Sequence, residues 1–192
     1  MIWNLGAINA DHFYRVPHLP GPGETLAATS FSKGLGGKGA NMSVACARAA
    51  GRVSHLGAVG EDGRWAITRL LEYGVETQHI AVVEGPIGHA NIHVDPKGEN
   101  NIVLFPGANH AITEQMIGAA LTEASAGDVL LMQNETIGQV FAAQTAKTLG
   151  LRVVYAAAPF SADAVMALLG QIDLLVLNAV EAAQLLEGNG KA

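Results

Sequence analysis

Short apolar runs alternate along the chain with longer stretches that repeat with the period of a helix. The apolar runs, which predict buried strands, are 2–7, 53–59, 129–132, 153–156 and 174–177. The segments with helical periodicity, which predict helices, are 40–50, 63–73, 114–123, 138–149, 162–169 and 180–187. Buried strands separated by helices are typical of a parallel sheet with helices on both faces. The pattern therefore predicts an α/β fold.

Two stretches depart from this alternation, at about 10–33 and 86–108. In the second, segments 88–94 and 101–105 flank Asp95-Pro96-Lys97-Gly98, which predicts a β-hairpin. β segments inserted without helices usually lie outside the main sheet as a flap or lid. We therefore expect residues 1–192 to form one α/β domain with two lid insertions.

A glycine-rich segment, 34–39, leads directly into the predicted helix 40–50. Glycines let the backbone approach a ligand closely, and Gly51 is placed to end the helix. The first turn of a helix offers unpaired N–H groups and the positive end of the helix dipole, here beside Lys38. We expect a hydroxyl-rich or anionic small molecule to bind at this turn.

Two phosphate-binding glycine motifs come close to matching this segment. The P-loop pattern fails, because Ser32 stands at its first glycine and Gly39 follows Lys38. The dinucleotide pattern G-x-G-x-x-G matches at Gly34, Gly36 and Gly39. That pattern should directly follow the first strand, but a long stretch rich in Pro and Gly intervenes. A nicotinamide-dependent oxidoreductase therefore ranks third among the candidate functions.

Several short blocks of sequence occur in the order found in one enzyme family. They are Gly6-Ala7-Ile8-Asn9-Ala10-Asp11, Leu19-Pro20-Gly21-Pro22-Gly23-Glu24-Thr25, Gly36-Gly37-Lys38-Gly39-Ala40-Asn41, Gly98-Glu99-Asn100-Asn101, Gly107-Ala108-Asn109, Leu130-Leu131-Met132-Gln133-Asn134-Glu135 and Asn178-Ala179-Val180-Glu181. On these blocks, of which the first three together are specific, the chain resembles the PfkB family of carbohydrate kinases. The resemblance implies the ribokinase-like fold: a mostly parallel sheet with helices on both faces and a small inserted β-sheet lid, often paired with a second subunit's lid.

The resemblance also assigns the substrate-binding residues, which are Asn9, Asp11, Gly37, Lys38, Asn41 and Glu135. Asn9 and Asp11 follow the first strand at its carboxyl end, where open α/β sheets bind ligands, and their side chains suit vicinal hydroxyls. The acid that matches Glu135 helps to organise the sugar and the metal–phosphate region. From the residues alone, Asn9-x-Asp11 is also ordinary turn chemistry. Likewise, Lys38, Asn41 and Glu135 are by default surface side chains.

Asn178 and Glu181 form an N-x-x-E pattern after the last predicted strand. On its own this pattern is a helix N-cap with a capping-box acid. By resemblance, Asn178 contacts the phosphates of ATP and Glu181 acts on Mg²⁺ through water. The structural and functional interpretations are compatible.

The histidines give little support for a metal site. His89 and His93 lie in a predicted strand and would be about 13 Å apart along it, too far for one ion. His12, next to Asp11, is a candidate neighbour of the sugar. His55 and the others have no group of chemically suited residues around them in the sequence.

Composition narrows the classes of function. The 192 residues carry a net charge of −6 and no cluster of Lys and Arg, which argues against nucleic acid as a partner. The single cysteine, Cys46, can form no internal disulfide, which suits a reducing cytoplasm. No apolar run reaches bilayer length, and the first residues lack the pattern of a signal peptide. We expect a soluble, cytoplasmic protein that does not bind membranes.

The chain departs from the family pattern at two places. Ala156-Ala157-Ala158-Pro159 stands where the family often carries Asn-Pro-Ala-Pro, so a polar group at the rim of the site is lost. The family's D-T-x-G-A-G-D block, which holds the catalytic base, falls beyond Ala192. The resemblance thus implies an incomplete domain without its C-terminal part, no catalytic base in this chain, and no activity of this chain alone. A monovalent cation such as K⁺ would bind that C-terminal part.

These patterns together predict a phosphotransferase. The expected reaction is ATP-dependent transfer of the γ-phosphoryl group to a primary hydroxyl of a pentose such as ribose, with Mg²⁺, by a homodimer joined through the lid. One alternative is a kinase of the same family for another sugar, a sugar acid or a nucleoside. A second alternative is a non-catalytic sugar-binding protein.

Overall fold

Strands and helices alternate along most of the chain, of which the computed structural model describes residues 1–189. The strands are β1 (Ile2–Leu5), β2 (Asn9–Arg15), β3 (Ser30–Gly36), β4 (Val53–Gly60), β5 (Ile80–Val83), β6 (Gly88–Val94), β7 (Asn100–Phe105), β8 (Val129–Gln133), β9 (Arg152–Ala156) and β10 (Leu174–Val176). The α-helices are α1 (Lys38–Arg48), α2 (Arg64–Glu72), α3 (Glu114–Leu121), α4 (Gln139–Thr148), α5 (Ala162–Leu168) and α6 (Ala179–Asn189). Short 3₁₀ helices lie at Glu61–Gly63 and Gly107–His110.

The larger sheet has six strands in the order β10-β9-β8-β1-β4-β5, and every pair is parallel. Helices cover both faces, because one buried apolar cluster contains residues of α1 and α2 and another contains residues of α3, α4 and α5. Side chains alternate between the faces of a strand. Trp3 and Leu5 of β1 accordingly lie in the cluster with α3, α4 and α5, whereas Ile2 packs against the other. The predicted α/β fold with a mostly parallel sheet is confirmed.

The other four strands form a separate small sheet in the order β3-β2-β6-β7. β2 pairs antiparallel with β3 and parallel with β6, and β6 pairs antiparallel with β7. The predicted hairpin is present as β6 and β7, and Asp95 Oδ1 closes its turn by accepting from the N–H groups of Lys97 and Glu99. Gly34 and Gly36, predicted as turn residues, lie in β3, so only Gly37 separates the small sheet from α1.

The end of α1 differs from the prediction by one residue. Gly51 was expected to end the helix, but Ala50 takes the left-handed conformation, with φ of 61°. The N–H of Ala50 donates to the carbonyl of Ala47 over 3.0 Å, and that of Gly51 to the carbonyl of Cys46 over 2.9 Å. These two bonds form a Schellman motif. The motif satisfies two carbonyls of the last turn, which offsets the cost of placing alanine there.

Strand β5 is absent from the sequence-based prediction. It pairs with β4 at one edge of the larger sheet. Its four apolar residues form a run as long as the predicted strand 129–132, so the sequence did contain the signal for this strand. Separately, within residues 1–189 no helix is both long and apolar enough to cross a membrane.

Candidate functional site

A cavity of about 210 Å³ opens between the small sheet and the carboxyl edge of the larger sheet. Leu104 and Phe105, at the end of β7, line one side. Asn134 and Glu135, directly after β8, line another. Asn9, at the start of β2, also borders the cavity. A cavity with both polar and apolar walls at this edge is typical of a small-molecule site in an open α/β sheet.

Lys38 and Glu135 form the most closely bonded charged pair beside this cavity. The Lys38 backbone N–H donates to Glu135 Oε2 over 2.8 Å, and its ammonium donates to Oε1 over 2.6 Å. The Glu135 side chain is only 9% exposed. Both bonds are charge-assisted, and the positive end of the α1 dipole adds to the attraction. The pair therefore fixes the first turn of α1 against the loop after β8.

Gly37 allows α1 to begin at this point. It precedes the helix with φ of 89°, and a Cβ there would lie 2.5 Å from the Ala7 carbonyl oxygen. An L-residue with a side chain would be strained in both respects. The same Ala7 carbonyl accepts from the N–H of Ala40 over 3.0 Å. The first turn of α1 is thereby held against the segment that joins β1 to β2.

Asp11 brings a second carboxylate to the site from the small sheet. Its side chain reaches over Gly36, where any Cβ would overlap the carboxylate. Partial burial, and then the charge of Glu135, raise the pKa of Asp11, while His12 and Lys38 act in the opposite direction. Asp11 therefore lies within electrostatic reach of the Lys38–Glu135 pair. An ionised carboxylate here can only accept hydrogen bonds.

Asn109 fixes the orientation of the side-chain amide of Asn9. The backbone N–H of Ile8 can only donate, and it does so to Asn109 Oδ1 over 2.8 Å. Asn109 Nδ2 is therefore the group that donates to Asn9 Oδ1 over 2.7 Å. Both asparagines are buried, with 5% and 2% exposure for Asn9 and Asn109. Because the oxygen of Asn9 is engaged, its NH₂ group remains to donate to a ligand in the cavity.

The loop after β8 is hydrogen-bonded to Asn109. Thr136 Oγ1 donates to the Asn109 carbonyl over 2.7 Å. Gln139, in the first turn of α4, donates to the carbonyls of Gln133 and Thr136 over 3.1 and 2.7 Å. These bonds hold the backbone on both sides of Glu135. The small sheet, the loop after β8 and the start of α4 are thus joined at the cavity.

The structure brings most of the sequence-predicted substrate residues together and leaves one apart. Asn9 and Glu135 line the cavity. Lys38 forms an ion pair with Glu135, and Gly37 and Asp11 lie close to that pair. Asn41 is exposed and borders a different depression, between β3 and helices α1 and α2. Its sugar-binding role stays a prediction, as do the roles of the other five.

Asn178 and Glu181 lie after β10, the outermost strand at the other end of the larger sheet. Glu181 N–H donates to Asn178 Oδ1 over 2.9 Å, and Asn178 N–H donates to Glu181 Oε2 over 2.9 Å. This reciprocal pair is a capping box at the start of α6. Within residues 1–189, the second carboxylate oxygen of Glu181 has no hydrogen-bond partner. A carboxylate with an available oxygen suits the water shell of Mg²⁺.

Sequence reasoning missed two buried side chains and placed a third on the wrong face. Asn109 was noted only as part of a motif, and no local signal links it to Asn9, 100 residues away. His55 is fully buried with hydrogen-bond partners. His12, a candidate sugar neighbour, follows Asp11 in β2 and so points to the opposite face of the small sheet, where it contacts Phe31. In the described part of the chain, no three His, Cys, Asp or Glu side chains are grouped to hold a metal ion.

A parallel sheet with a cavity at its carboxyl edge and a small second sheet beside it is an architecture typical of α/β proteins that bind small molecules. Residues 1–192 match the pfkB family of carbohydrate kinases. The chain is 38% identical to a ribokinase of Haemophilus influenzae over 185 residues, which are 93% of this chain and 60% of that protein. The chain belongs to the PfkB family.

Solved structures show the same fold. The structure of a ribokinase from Cryptococcus neoformans var. grubii in complex with ADP superposes with a TM-score of 0.83 at 33% identity, covering 100% of this chain and 60% of that one. The structure of an Arabidopsis thaliana ribokinase complexed with ribose and ATP gives 0.80 at 27% identity, covering 96% and 62%. The ribokinase-like fold predicted from sequence is confirmed. The chain spans about 60% of the length of the relatives it matches.

Proposed function

We propose that this chain forms the sugar-binding part of an ATP-dependent carbohydrate kinase. The reaction would transfer the γ-phosphoryl group to a primary hydroxyl of a pentose such as ribose. The observation that carries the proposal is the set of hydrogen-bonding groups around the cavity: an acceptor on Asp11, a donor on Asn9, and the Lys38–Glu135 pair. Neighbouring ring hydroxyls both donate and accept, so a sugar can satisfy all of these groups at once.

The size of the cavity supports a monosaccharide. Its volume of about 210 Å³ is smaller than the ~300–1,000 Å³ of pockets for drug-sized ligands. Leu104 and Phe105 offer an apolar wall to the C–H face of a sugar ring. This size favours a free pentose over a nucleoside, which would need room for its base.

Phosphoryl transfer relies mainly on positioning and on stabilisation of charge. In the proposed mechanism Asn9, Asp11, Lys38 and the backbone at Gly37 bind and orient the sugar. Glu135 holds Lys38 in place through both of its oxygens. The small sheet closes over the sugar as a lid and excludes water that could otherwise accept the phosphoryl group. The catalytic base is assigned to no residue of this chain.

The nucleotide is proposed to bind at the Asn178 end of the sheet. ATP supplies the phosphoryl group, and Mg²⁺ neutralises its charge, when both are bound. Asn178 would contact the phosphates through its NH₂ group, since its oxygen caps α6. Glu181 would reach the metal through water with its second oxygen. We also propose that the C-terminal part of the full-length protein binds K⁺. The protein would be located in the cytoplasm, where ATP is available.

The proposed assembly is a homodimer joined through the small sheet. Its strands expose apolar side chains, which on the outer strands include Phe31 at 57%, Ile102 at 52% and Val103 at 60%. Grouped exposed apolar residues often mark a surface that another protein covers. A second copy of the small sheet, packed on the face that carries Phe31 and Val103, would cover these two side chains.

The decisive experiment is a panel of acceptors with the full-length protein. ADP formation would be followed with ATP, Mg²⁺ and, in turn, ribose, 2-deoxyribose, fructose, a sugar acid or inosine. We expect turnover that depends on the pentose. Turnover with inosine alone would favour a nucleoside kinase. Calorimetric binding of ribose without turnover by any acceptor would make the protein a sugar-binding protein and would contradict the proposed reaction.

A further inference from the structure

A chain of hydrogen bonds lies buried in the larger sheet beneath the first turn of α1. It runs through Asn4 of β1, Ser43 of α1, His55 of β4 and Gln133 of β8, all of which are 0% exposed. Four polar side chains buried together in a sheet are expensive unless they satisfy one another, and of their polar atoms only Gln133 Oε1 has no partner within residues 1–189. None of the four lines the cavity. The proposed reaction has therefore given them no role so far.

The direction of every proton in this chain follows from two backbone carbonyls, which can only accept. Asn4 Nδ2 donates to the Gly39 carbonyl over 2.8 Å and to Ser43 Oγ over 2.7 Å. Because Ser43 Oγ accepts from Asn4, its own proton goes to His55 Nδ1, 2.8 Å away. His55 Nε2 then carries the ring proton and donates to the Gly6 carbonyl over 3.0 Å.

The other end of the chain agrees with this direction. Asn4 Oδ1 accepts from Gln133 Nε2 over 2.8 Å. Each donor thus points the same way, from β8 through β1 and α1 to β4. Reversing any one group would set two donors or two acceptors against each other. His55 is consequently neutral, and burial lowers its pKa to about 4.

Two points of the chain, Gln133 and the Gly39 carbonyl that Asn4 binds, lie next to the two halves of the charged pair. Gln133 stands two residues before Glu135, and the Gly39 carbonyl belongs to the residue after Lys38. Asn4 bonds to both Gln133 and Gly39 and so spans the distance between the end of β8 and the start of α1. Ser43, one turn further along α1, fixes the rotation of the helix about its axis.

We propose that the Gln133–Asn4–Ser43–His55 chain is a positioning device that aligns Lys38 with Glu135 and so sets the affinity of the sugar site. This inference rests on the proposed sugar site. The four residues do not touch the sugar. They act through Lys38, whose N–H and ammonium both have to meet the oxygens of Glu135.

The test compares two buried serines in the full-length protein. Ser43→Ala removes one acceptor and one donor from the middle of the chain. Ser54→Ala is the matched control, because Ser54 is equally buried in β4 but its hydroxyl has no hydrogen-bond partner among residues 1–189. Ile117→Val, in the apolar cluster on the other face, controls for loss of stability alone.

Two readouts are measured for each variant: the hydrogen-exchange rate of the Lys38 amide by NMR without sugar, and ribose affinity by calorimetry. For Ser43→Ala we expect the Lys38 amide to exchange about tenfold faster, as after loss of one buried hydrogen bond, and ribose to bind about threefold more weakly, no more than after Glu135→Gln. Combining Ser43→Ala with Glu135→Gln should then weaken ribose binding by less than the product of the two single effects. Both controls should leave the two readouts unchanged.

The inference is overturned if Ser43→Ala behaves like Ile117→Val, with lower stability but unchanged ribose affinity and unchanged local exchange at Lys38. Fully additive effects of Ser43→Ala and Glu135→Gln would also overturn it. If the protein binds no sugar at all, the proposed function fails, and the Lys38 exchange rate still decides whether the chain positions the pair. Should Ser43→Ala fail to fold, Gln133→Met, which removes only the first donor, is measured in the same way.

Discussion

The two ends of the carboxyl edge of the larger sheet are held in different ways. At the end proposed to bind the sugar, here called the sugar end and defined by Asn9, Asp11, Lys38 and Glu135, the bonds join residues about 100 positions apart and are largely buried. At the end proposed to bind the nucleotide, here called the nucleotide end and defined by Asn178 and Glu181, the bonds span three positions and are exposed. The sugar end can thus form only when the sheet has folded, whereas the nucleotide end needs only the first turn of α6.

The sugar end is also more enclosed by neighbouring strands than the nucleotide end. The sugar end lies above β1 and β8, which have strands on both sides. The nucleotide end follows β10, which pairs with β9 alone, and Leu174 and Val176 of β10 are 49% and 48% exposed. An exposed strand edge with apolar side chains is a surface that proteins usually cover. Substitutions should therefore have large effects on stability and binding at the sugar end and small ones at the nucleotide end.

The largest expected effect is the response of the sugar end to acid. Because the pKa of His55 is lowered to about 4, the unfolded chain takes up a proton near pH 6.5 and the folded chain only near 4. The free energy of unfolding should thus fall as the pH drops from about 6.5 to about 4. The loss from this group is about 3 kcal/mol, from 1.36 kcal/mol per pH unit. Urea denaturation at several pH values measures it.

The control for this prediction is His55→Leu, which removes the titrating group. The variant should be less stable at pH 7, because the Ser43 hydroxyl loses its acceptor. Its stability should nevertheless depend less on pH over the same range. An equal dependence in both proteins would show that His55 is not the group responsible.

The next effect is on sugar affinity through Asp11. Asp11→Ala leaves sugar hydroxyls unpaired, and each lost charged hydrogen bond costs about 1.5–3 kcal/mol, less what water recovers. Ribose binding to the full-length protein, measured by calorimetry, should weaken by tenfold or more. ATP binding without sugar should barely change. A variant that binds ATP weakly and ribose normally would reverse the assignment of the two ends.

Glu135→Gln tests whether charge matters at the centre of the site. The amide keeps the shape but leaves the Lys38 ammonium without a counter-charge. We expect turnover to fall by about tenfold, from the loss of one charge-assisted hydrogen bond, with a smaller change in ribose affinity. The matched control is Glu72→Gln, which breaks an exposed ion pair with Arg69 and should change neither. Unchanged turnover at every Mg²⁺ concentration would make Glu135 an ordinary structural residue.

The contrast between the two ends also explains what the sequence could predict. The alternation of apolar runs and helical periods depends on neighbouring residues, and it predicts the six α-helices of residues 1–189 and every strand of the larger sheet except β5. The N-x-x-E spacing is likewise local, and the capping box that it suggests is present. Features set by residues close in sequence are therefore accessible to pattern reasoning.

Features of the sugar end are not accessible in this way. The resemblance to the family marks Asn9, yet only the folded chain shows that Asn109 turns its amide. Similarly, His55 has no signal in its neighbours, because its partners are Ser43 of α1 and Gly6, which follows β1. Asn41 is a different case. Its position in the motif suggests a sugar contact, but its side chain borders another depression. Long-range contacts decide the cases of Asn9 and His55, and the role of Asn41 stays a prediction.

The smallest effects are expected at the nucleotide end, where structural and functional roles can be separated. Asn178→Ala removes the N-cap oxygen of α6 and should lower the free energy of unfolding by about 1 kcal/mol. Glu181→Gln keeps a capping box, because glutamine can also accept from the Asn178 N–H, so stability should change by only a few tenths of a kcal/mol. If Glu181 also acts on Mg²⁺ through water, the same variant should need more Mg²⁺ for half-maximal turnover of the full-length protein. A variant with normal stability and a normal Mg²⁺ dependence would leave Glu181 with the capping role alone, and the contrast between the two ends would then be one of structure and not of chemistry.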